Sequence, residues 1–243
     1  MSDVLYAVIP AYNESDNIEA LVEEWVGPIT ATGSQARLVI VNDGSKDNTA
    51  ELLEQLAAKH GEALVVLNKP NSGHGATLLY GYRYALEHGA DFVFQTDSDR
   101  QTLPSEFPAF WDARHEADAV IGWRSGRQDG FSRVVVTRVL RLVVRLTLGV
   151  KAKDANCPFW LMRAGALAEI LPTIPPAHNL ANVLITARFL QLGMKVKWIE
   201  VTFRPRQGGV NSINIPKIIG IGRRAVADFA GLRRLAKPKP AGD

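Results

Sequence analysis

Residues 37–68, RLVIVNDGSKDNTAELLEQLAAKHGEALVVLN, indicate the fold most directly. Two apolar runs, RLVIVN and ALVVLN, enclose a segment with helical spacing, in which Asn48 and Glu51 occupy the positions of a capping box. Strands that are apolar throughout are typical of a parallel sheet covered on both faces. The stretch therefore predicts two parallel strands joined by a helix.

The same alternation continues on both sides of this stretch. Upstream, VLYAVIPAY predicts a strand and SDNIEALVEEWV a helix; downstream, the helix ATLLYGYRYALEHG precedes strands in DFVFQTD and ADAVIGWR. Further on we expect a helix near NLANVLITARFLQLG, a strand at KVKWIEVTF and a last helix from about Pro216. The sequence predicts an α/β domain over residues 1–214, with a mostly parallel central sheet flanked by helices, and a basic amphipathic helix with a tail over residues 215–243.

The composition indicates a folded protein of a reducing compartment. The chain has 243 residues, 47% of them hydrophobic, which is enough to bury a large core. Its one cysteine, Cys157, excludes an intrachain disulfide and is most simply a small core residue. The N-terminus lacks the pattern of a signal peptide, and no apolar run reaches about 18 residues, so we expect no membrane-spanning helix and a cytoplasmic location.

Charge is distributed unevenly along the chain. Residues 1–120 contain 7 Lys and Arg against 19 Asp and Glu, a balance of −12, whereas residues 121–243 contain 21 against 6, a balance of +15. Such asymmetry indicates a nucleic-acid or membrane partner, or merely two differently solvated surfaces. Nucleic acid is disfavoured, because no known binding module is present and the acidic half would repel a duplex.

One segment of the basic half has an amphipathic pattern. In SRVVVTRVLRLVVRLTLG the arginines occupy an arc of about 140° on a helix whose other positions are mostly Val and Leu; these arginines are Arg133, Arg138, Arg141 and Arg145. The helix could cover an apolar core, bind nucleic acid or lie at a membrane interface. Because its polar face lacks acidic partners, the pattern favours a surface that faces anions, such as the cytoplasmic face of a membrane.

Polar clusters follow the predicted strands at their carboxyl ends, where parallel sheets bind ligands. They are PAYNES, NDGSKDN, TDSDRQ and GWRSGR. In the third cluster Asp97 and Asp99 stand one residue apart, and their repulsion costs energy unless a cation lies between them. Mg²⁺ or Mn²⁺ takes one or two carboxylates together with substrate phosphates, and Gln101 can add a carbonyl oxygen. The plainer interpretation is a solvated polar loop.

The other clusters favour a nucleotide over a dinucleotide cofactor. In NDGSKDNT, Asp47 and Asn48 are expected to cap the following helix, which leaves Asp43 freer to accept hydrogen bonds from a base or ribose. The glycines of NSGHGAT permit close approach of the backbone to a ligand. No G-x-G-x-x-G pattern occurs, so NAD is set aside. His74 is expected to be a polar loop residue.

Taken in order, these segments resemble family 2 glycosyltransferases with the GT-A fold, and within them the dolichol-phosphate mannose synthase group and bacterial polyprenyl-phosphate sugar transferases. The likeness runs from about Tyr6 to Ile215. VIPAYNES and VNDGSKDNT resemble the nucleotide-binding segments, and DSDRQ resembles the D-x-D-x-Q metal motif. GWR resembles G-S-R, VTRVL resembles L-S-R-K-L, KDANCPFWLMR resembles D-x-x-x-G-F-x-x-x-R, and TFRPRQGG resembles F-x-x-R-x-G-G.

The resemblance implies a role for individual residues. It implies a divalent cation, Mg²⁺ or Mn²⁺, on Asp97, Asp99 and Gln101. It implies a nucleotide sugar, linked to UDP or GDP, in contact with Pro10, Tyr12, Glu14, Asp43 and Asp97. Contacts to the acceptor and to phosphate are implied for Arg124, Arg138, Asp154 and Arg206, and the catalytic residues would be Asp99, Arg124 and Arg138.

The chain departs from the resembled group in two places. The group usually has a Ser-Lys pair after the last motif, whereas no lysine follows Ser212 in GGVNSIN. The membrane spans common at the group's C-terminus are also absent. The protein would then attach to a membrane through the amphipathic helices, through a separate integral membrane protein, or not at all. A second copy of the chain, in a homo-oligomer, is another possible partner.

The acceptor is indicated by a missing carboxylate. Family members that use hydroxyl acceptors commonly carry a general base between the D-x-x-x-G-F segment and the last strand, but residues 170–199 contain no Asp or Glu. A phosphate monoester, with a second pKa of about 6, is already anionic and needs no base. We therefore expect inverting transfer to a polyprenyl phosphate. Open alternatives are a glycan or other hydroxyl acceptor, with His178, Asp129 or Asp154 as base, and a non-catalytic nucleotide-sugar-binding protein.

Overall fold

The structure is a computed structural model that describes residues 3–33, 35–124, 144–176, 178 and 180–204. Its strands are β1 (Leu5–Ala11), β2 (Arg37–Asn42), β3 (Leu64–Asn68), β4 (Phe92–Gln95), β5 (Ala119–Arg124), β6 (Trp160–Arg163) and β7 (Val196–Val201). Its α-helices with complete bounds are α1 (Ile18–Thr30), α2 (Thr49–His60), α3 (His74–Glu87), α4 (Phe107–Asp112), α5 (Ala164–Ile170) and α6 (Ala181–Gln191). The last predicted helix and most of the arginine segment lie outside the described residues.

The described residues form one seven-stranded sheet with the order β3-β2-β1-β4-β6-β5-β7. The predicted α/β fold with a mostly parallel sheet is confirmed, since β6 is the strand that runs antiparallel, to both β4 and β5. The sequence did not predict β6. Its four residues are too few to show a period, and the surrounding DANCPFWLMR had been interpreted only as a motif.

Helices cover both faces of the sheet, as the apolar strands require. On one face the indole of Trp25 from α1 packs against Phe94 of β4 and against Phe159, with ring centroids 5.4 and 5.9 Å apart. On the other face α3 lies so close to β1 that a Cβ atom at Gly81 would stand 2.4 Å from Cγ1 of Val8. Close packing on both faces leaves the strand ends as the place for polar side chains.

The strand order creates a crevice at the carboxyl end of the sheet. From β1 the chain moves outward through β2 to β3, and it then returns to place β4 on the opposite side of β1. The loops that follow β1 and β4 therefore diverge at this point, where open α/β sheets bind their ligands. The segments after β1, β2 and β4 are the three that sequence analysis predicted to bind nucleotide and metal.

Of the two residues predicted to cap α2, Asp47 bonds to the first turn and Asn48 does not. Asn48 does precede α2, but its side chain makes no capping hydrogen bond. The Oδ1 atom of Asp47 instead accepts hydrogen bonds from the backbone N–H of Thr49 at 3.1 Å and from its hydroxyl at 2.6 Å.

Candidate active site

A cleft of about 340 Å³ opens at the carboxyl ends of β1 and β2. Its lining combines residues from four separate polar clusters; these are Pro10, Ala11, Tyr12, Glu14, Asp43, Asn71, Gly73, His74, Thr77 and Ser98. The volume is within the usual range for a small-molecule site. The structure thus brings together four of the predicted nucleotide contacts, the residues at positions 10, 12, 14 and 43, with the serine of the D-x-D motif.

Asp43 is buried and its carboxylate is already bound by the protein. Oδ1 accepts hydrogen bonds from the Nζ atom of Lys69 and from the backbone N–H of Ser72, and Oδ2 accepts one from the N–H of Gly73 at 2.9 Å. Burial alone would raise the pKa of Asp43, but these donors outweigh it and hold the pKa below its usual value. The carboxylate of Asp43 therefore anchors the loop after β3; its contact with a base or ribose stays a prediction.

Gly44 makes this anchoring possible. Its φ is +65°, and a Cβ atom there would lie 2.8 Å from the backbone nitrogen of Asn71 and 3.2 Å from the carbonyl oxygen of Lys69. The turn after β2 and the loop after β3 therefore touch backbone to backbone. A side chain at position 44 would both strain the turn and separate the two loops.

Glu14 connects the loop after β1 to the D-x-D motif. Its Oε1 atom accepts a hydrogen bond from the hydroxyl of Ser98 at 3.1 Å, and Oε2 accepts one from the side-chain amide of Asn17 at 3.0 Å. The neighbouring Tyr12 is 41% exposed at the rim of the cleft. The glutamate thus acts as a structural bridge, while the tyrosine ring is available to a ligand.

The two aspartates of the motif follow β4 directly. The Asp97 side chain keeps 28% of its surface exposed, and its Oδ1 atom lies 3.7 Å from Nε2 of His74, a cleft residue. Burial raises the pKa of Asp97 to about 6, partly offset by His74 and reinforced by the negative charge of Asp99. A divalent cation would relieve the repulsion between these two carboxylates.

The loop between these aspartates and the next helix is closed by its flanking residues. The hydroxyls of Thr96 and Thr102 are hydrogen-bonded at 2.7 Å, both fully or almost fully buried. Oδ1 of Asp99 accepts from the backbone N–H of Gln101 at 3.2 Å. Within the described ranges, no group of three or more His, Cys, Asp or Glu side chains is arranged to hold a metal. Asp97 and Asp99 supply two carboxylates, and a cation held by two carboxylates would complete its shell with substrate oxygens.

Gln101, the third predicted ligand, has a structural contact of its own. Its side-chain Nε2 donates to the carbonyl of Arg204 at 3.2 Å, and its own carbonyl accepts from the N–H of Arg204 at 2.9 Å. Arg204 and Arg100 both bind the carboxylate of Glu24 on α1, Arg204 at 2.7 Å. The metal motif is thereby joined to the segment after β7, with Arg100 in a left-handed conformation at φ +55°.

Arg124 and Asp154, both predicted to contact phosphate or acceptor, bind each other. The Nε atom of Arg124 donates to Oδ2 at 2.7 Å and Nη2 donates to Oδ1 at 3.0 Å, and the two side chains are 12% and 3% exposed. Asp154 is therefore unsuited to act as a general base, because its carboxylate is neutralised by a bidentate ion pair. Arg138, Arg206 and Asp129 lie outside the described residues.

One prediction about an ordinary residue is confirmed here. Cys157 is fully buried, as predicted for a core residue, and burial raises the pKa of its thiol. His178 accepts a hydrogen bond on Nδ1 from the backbone N–H of Leu180 at 3.1 Å. In the part of the chain that the structure describes, no helix has both the length and the apolar character needed to cross a lipid bilayer.

Comparison with known proteins identifies the family. The profile described as Glycosyl transferase family 2 matches residues 6–171, more than half of the 243 residues. The chain belongs to glycosyl transferase family 2. The match includes every described residue of the cleft and of the D-x-D-x-Q motif, which is consistent with the resemblance seen in the sequence.

Curated relatives of this family 2 chain carry a common name. An undecaprenyl-phosphate 4-deoxy-4-formamido-L-arabinose transferase of Pectobacterium atrosepticum is 29% identical over 216 residues, which are 88% of this chain and 64% of the relative. A protein of the same name from Pseudomonas aeruginosa is 33% identical over 172 residues, 70% of this chain and 50% of the relative. The family 2 chain thus spans between 50% and 64% of the length of these relatives.

A solved structure supports the fold. Glucosyl-3-phosphoglycerate synthase from Mycobacterium tuberculosis, in complex with Mn²⁺, UDP and glucosyl-3-phosphoglycerate, matches with a TM-score of 0.69 and 19% identity. The match covers 98% of this chain and 82% of that one. At this identity the similarity shows the fold alone, and it confirms the predicted GT-A architecture of the family 2 chain.

Sequence reasoning missed several residues that shape the site. Lys69, Glu24, Arg204 and Gln95 were not named as candidates. Lys69 carried a usable signal, since β2 and β3 are adjacent parallel strands with Asn42 opposite Asn68, so the residues that follow them are neighbours. Glu24 and Arg204 are 180 residues apart in the family 2 chain, and no local pattern connects them.

Proposed function

We propose that the protein is an inverting, divalent-cation-dependent glycosyltransferase that moves a sugar from a nucleotide diphosphate sugar to a polyprenyl phosphate. The observation that carries the proposal is the cleft at the strand ends, which joins the loops after β1, β2 and β3 to the Asp97–Asp99 motif. A nucleotide diphosphate needs a pocket for its base and ribose beside a cation site, and the position of the Asp97–Asp99 motif next to the cleft supports this arrangement.

The donor nucleotide would lie in the cleft lined by Tyr12 and by the loop that Asp43 anchors. The exposed ring of Tyr12 offers a face for stacking, and the glycine at position 73 allows close approach of a ligand to the backbone. Either UDP or GDP is compatible with these features. The cytoplasmic face of a membrane is the place where such donors and a lipid acceptor would meet.

Asp97 and Asp99 would hold Mg²⁺ or Mn²⁺. When bound, the cation neutralises charge on the leaving diphosphate. The chain's own contribution is to place two carboxylates beside the cleft, and to fix the motif through the bonds of Thr96 with Thr102 and of Gln101 with Arg204. Arg124 binds Asp154 through Nε and Nη2, and among the described residues no hydrogen bond involves its Nη1 edge, which could receive an anion.

The acceptor follows from the chemistry available around α6. This helix and the strand after it contain no Asp or Glu through residue 199, and Asp154 is neutralised by Arg124. A hydroxyl acceptor would lack a carboxylate base there, whereas a phosphate monoester is already ionised near neutral pH, its second pKa being about 6. The curated relatives bear names that specify undecaprenyl phosphate, which supports the same choice.

The test compares two acceptors that differ only in the phosphate. Purified protein is supplied with Mn²⁺, with UDP- or GDP-linked sugars in turn, and with either undecaprenyl phosphate or undecaprenol. We expect sugar transfer to the phosphate and none to the alcohol, with a rate that rises as the acceptor phosphate ionises. Transfer to undecaprenol, or to a sugar hydroxyl in preference to the lipid phosphate, would refute the acceptor and favour a hydroxyl-specific transferase.

A further inference from the structure

Gln95 is an unexpected residue at the end of the central strand β4. The other three residues of this strand are Phe, Val and Phe, and the Gln95 side chain is fully buried. Placing an amide in an apolar core costs free energy unless both its donor and its acceptor are hydrogen-bonded. The partners of this amide therefore show what it does.

The Gln95 amide lies between the metal motif and α6. Its Nε2 atom donates to Oδ1 of Asp97 at 3.2 Å, and its Oε1 atom accepts from Nδ2 of Asn182 at 3.4 Å. An ionised carboxylate can only accept hydrogen bonds, so the NH₂ group of Gln95 must face Asp97. The carbonyl of Gln95 must then face a donor, and Asn182 provides it.

Asn182 is itself buried, with 5% of its surface exposed, near the start of α6. Among the described residues its Oδ1 atom has no hydrogen-bond partner. The bond to Gln95 is thus the contact that accounts for an amide at this position. The two amides form a relay from α6 to Oδ1 of Asp97.

We propose that Gln95 and Asn182 are positioning residues that orient the Asp97 carboxylate for the divalent cation. The inference rests on the proposed function, because it gives Asp97 the role of a cation ligand. A bond to Oδ1 restricts rotation of the carboxylate. Removing a partner of this kind typically weakens metal affinity by about 10- to 100-fold.

The competing account is that the amides only attach α6 to the sheet. That account predicts lower stability in variants but an unchanged cation affinity of the folded protein. Gln95→Met replaces the amide with an apolar group of similar length, and Asn182→Ala removes the donor. Thr186→Val is the matched control, since Thr186 is a fully buried polar residue one turn further along α6 whose hydroxyl has no hydrogen-bond partner among the described residues.

The experiment measures Mn²⁺ binding directly, by electron paramagnetic resonance of free Mn²⁺ in titrations with UDP and, in parallel, with GDP. We expect Gln95→Met to weaken Mn²⁺ binding about 10-fold or more, and Asn182→Ala to weaken it less. The double variant should bind no worse than Gln95→Met alone, because Asn182 acts through Gln95. Thr186→Val should bind as the wild type does, and the transfer activity of Gln95→Met should recover at high Mn²⁺.

Circular dichroism and thermal unfolding establish which variants are folded. Wild-type Mn²⁺ affinity in folded Gln95→Met or, should that variant not fold, in Asn182→Ala, overturns the inference and leaves the proposed function intact. Strict additivity of the two changes overturns the relay. If the wild-type protein itself binds no Mn²⁺ with either nucleotide, the proposed function fails and the inference fails with it.

Discussion

The carboxylate of Asp154 accepts two hydrogen bonds from the guanidinium group of Arg124, at 2.7 and 3.0 Å. A further bond reaches Oδ1 from the backbone N–H of Asn156 at 3.2 Å. The pair connects the last residue of β5 to the loop before β6, across a covalent separation of 30 residues. Both charges are largely buried, so neither residue can be removed without exposing the other's charge to the interior.

Asp154→Ala should therefore destabilise the protein by about 3–5 kcal/mol, since it leaves a buried guanidinium without its counter-charge. Chemical denaturation at pH 7 measures this loss. The double variant Arg124→Met with Asp154→Ala is the control, and it should regain much of the stability while remaining inactive if Arg124 also contacts phosphate. A single variant that unfolds at the wild-type denaturant concentration would contradict the buried ion pair.

Asp99→Ala should abolish sugar transfer without unfolding the protein. Removing one of two neighbouring carboxylates eliminates a proposed cation ligand and also relieves their repulsion, so thermal stability should be unchanged or slightly higher. EDTA should have the same effect on the wild type, reversed by Mn²⁺. Asp112→Ala, an exposed carboxylate at the end of α4, is the control and should remain active. Full activity in EDTA would argue against the cation.

Gly44→Ala should damage the cleft more than an equivalent change elsewhere. Both Gly44 and Gly61 have positive φ, at +65° and +55°, but a Cβ atom meets backbone atoms at Gly44 and nothing within 4 Å at Gly61. Gly61→Ala should lose only the backbone strain of a positive φ, about 1–3 kcal/mol. Gly44→Ala should lose more and also bind nucleotide weakly, as measured by titration calorimetry. Equal losses in the two variants would show that loop contact does not matter.

Glu24→Gln tests the ion pairs behind the metal motif. Burial would raise the pKa of Glu24, but Arg100 and Arg204 outweigh it, so the pKa of the folded state lies below its usual value. An ionised Glu24 stabilises the folded state at pH values above about 4.3, the pKa of a glutamate in the unfolded chain. This contribution is lost as the pH falls through the lower pKa that Glu24 has in the folded state. We expect the variant to be less stable by about 1–2 kcal/mol at pH 7.

The stability difference between Glu24→Gln and the wild type should shrink below about pH 4, and denaturation curves between pH 3 and 7 measure it. Glu23→Gln is the matched control, because Glu23 is the preceding residue on α1 and its ion pair with Lys59 lies on the surface. This control should unfold close to the wild type at every pH. A Glu24 effect that does not depend on pH would mean that packing, and not charge, stabilises the motif.

Membrane binding remains a prediction from sequence. Arg141 lies outside the described residues, and Arg145 is exposed. Each basic residue near an anionic leaflet contributes about 1 kcal/mol, so Arg141→Glu with Arg145→Glu should weaken binding to anionic liposomes in flotation assays. Binding should also weaken steeply with salt, because surface attraction is screened over about 10 Å at 0.1 M ionic strength.

The liposome control reverses the same number of charges elsewhere. Arg163 ends β6 opposite the first residue of β4, and Lys195 precedes β7, so both lie at the edge of the sheet opposite the cleft. Arg163→Glu with Lys195→Glu should bind liposomes nearly as the wild type does. If neither the wild type nor any variant binds anionic liposomes at low salt, a membrane-protein partner becomes the better explanation.

Much of the fold could be predicted because the strands are apolar on both faces and the helices between them are periodic. The positions of the strand ends could be predicted from the same patterns, and so could the location of the loops after β1, β2 and β4 at one end of the sheet. The antiparallel strand β6 could not be predicted, because its pairing with β4 and β5 depends on tertiary contacts and leaves no mark in four residues.

Site residues were predicted by type more reliably than by partner. Asp43 was correctly placed at the cleft. Its hydrogen bonds with Lys69 and with two backbone N–H groups could not be predicted, because these donors belong to a loop 26–30 residues away. Arg124 and Asp154 were each assigned to a ligand, although each is the other's partner. A sequence shows which groups are charged; only the packed structure shows which of those charges are already neutralised.

The contacts of Asp43 bear on how the protein would distinguish one base from another. Because this carboxylate fixes the N–H groups of Ser72 and Gly73, the loop after β3 is ordered during folding. The backbone entropy of its residues, about 1–2 kcal/mol each, is therefore lost before any ligand arrives. A preordered loop cannot move aside for a base of the wrong size at little cost, so selection between a pyrimidine and a purine would operate by steric rejection and not by induced fit.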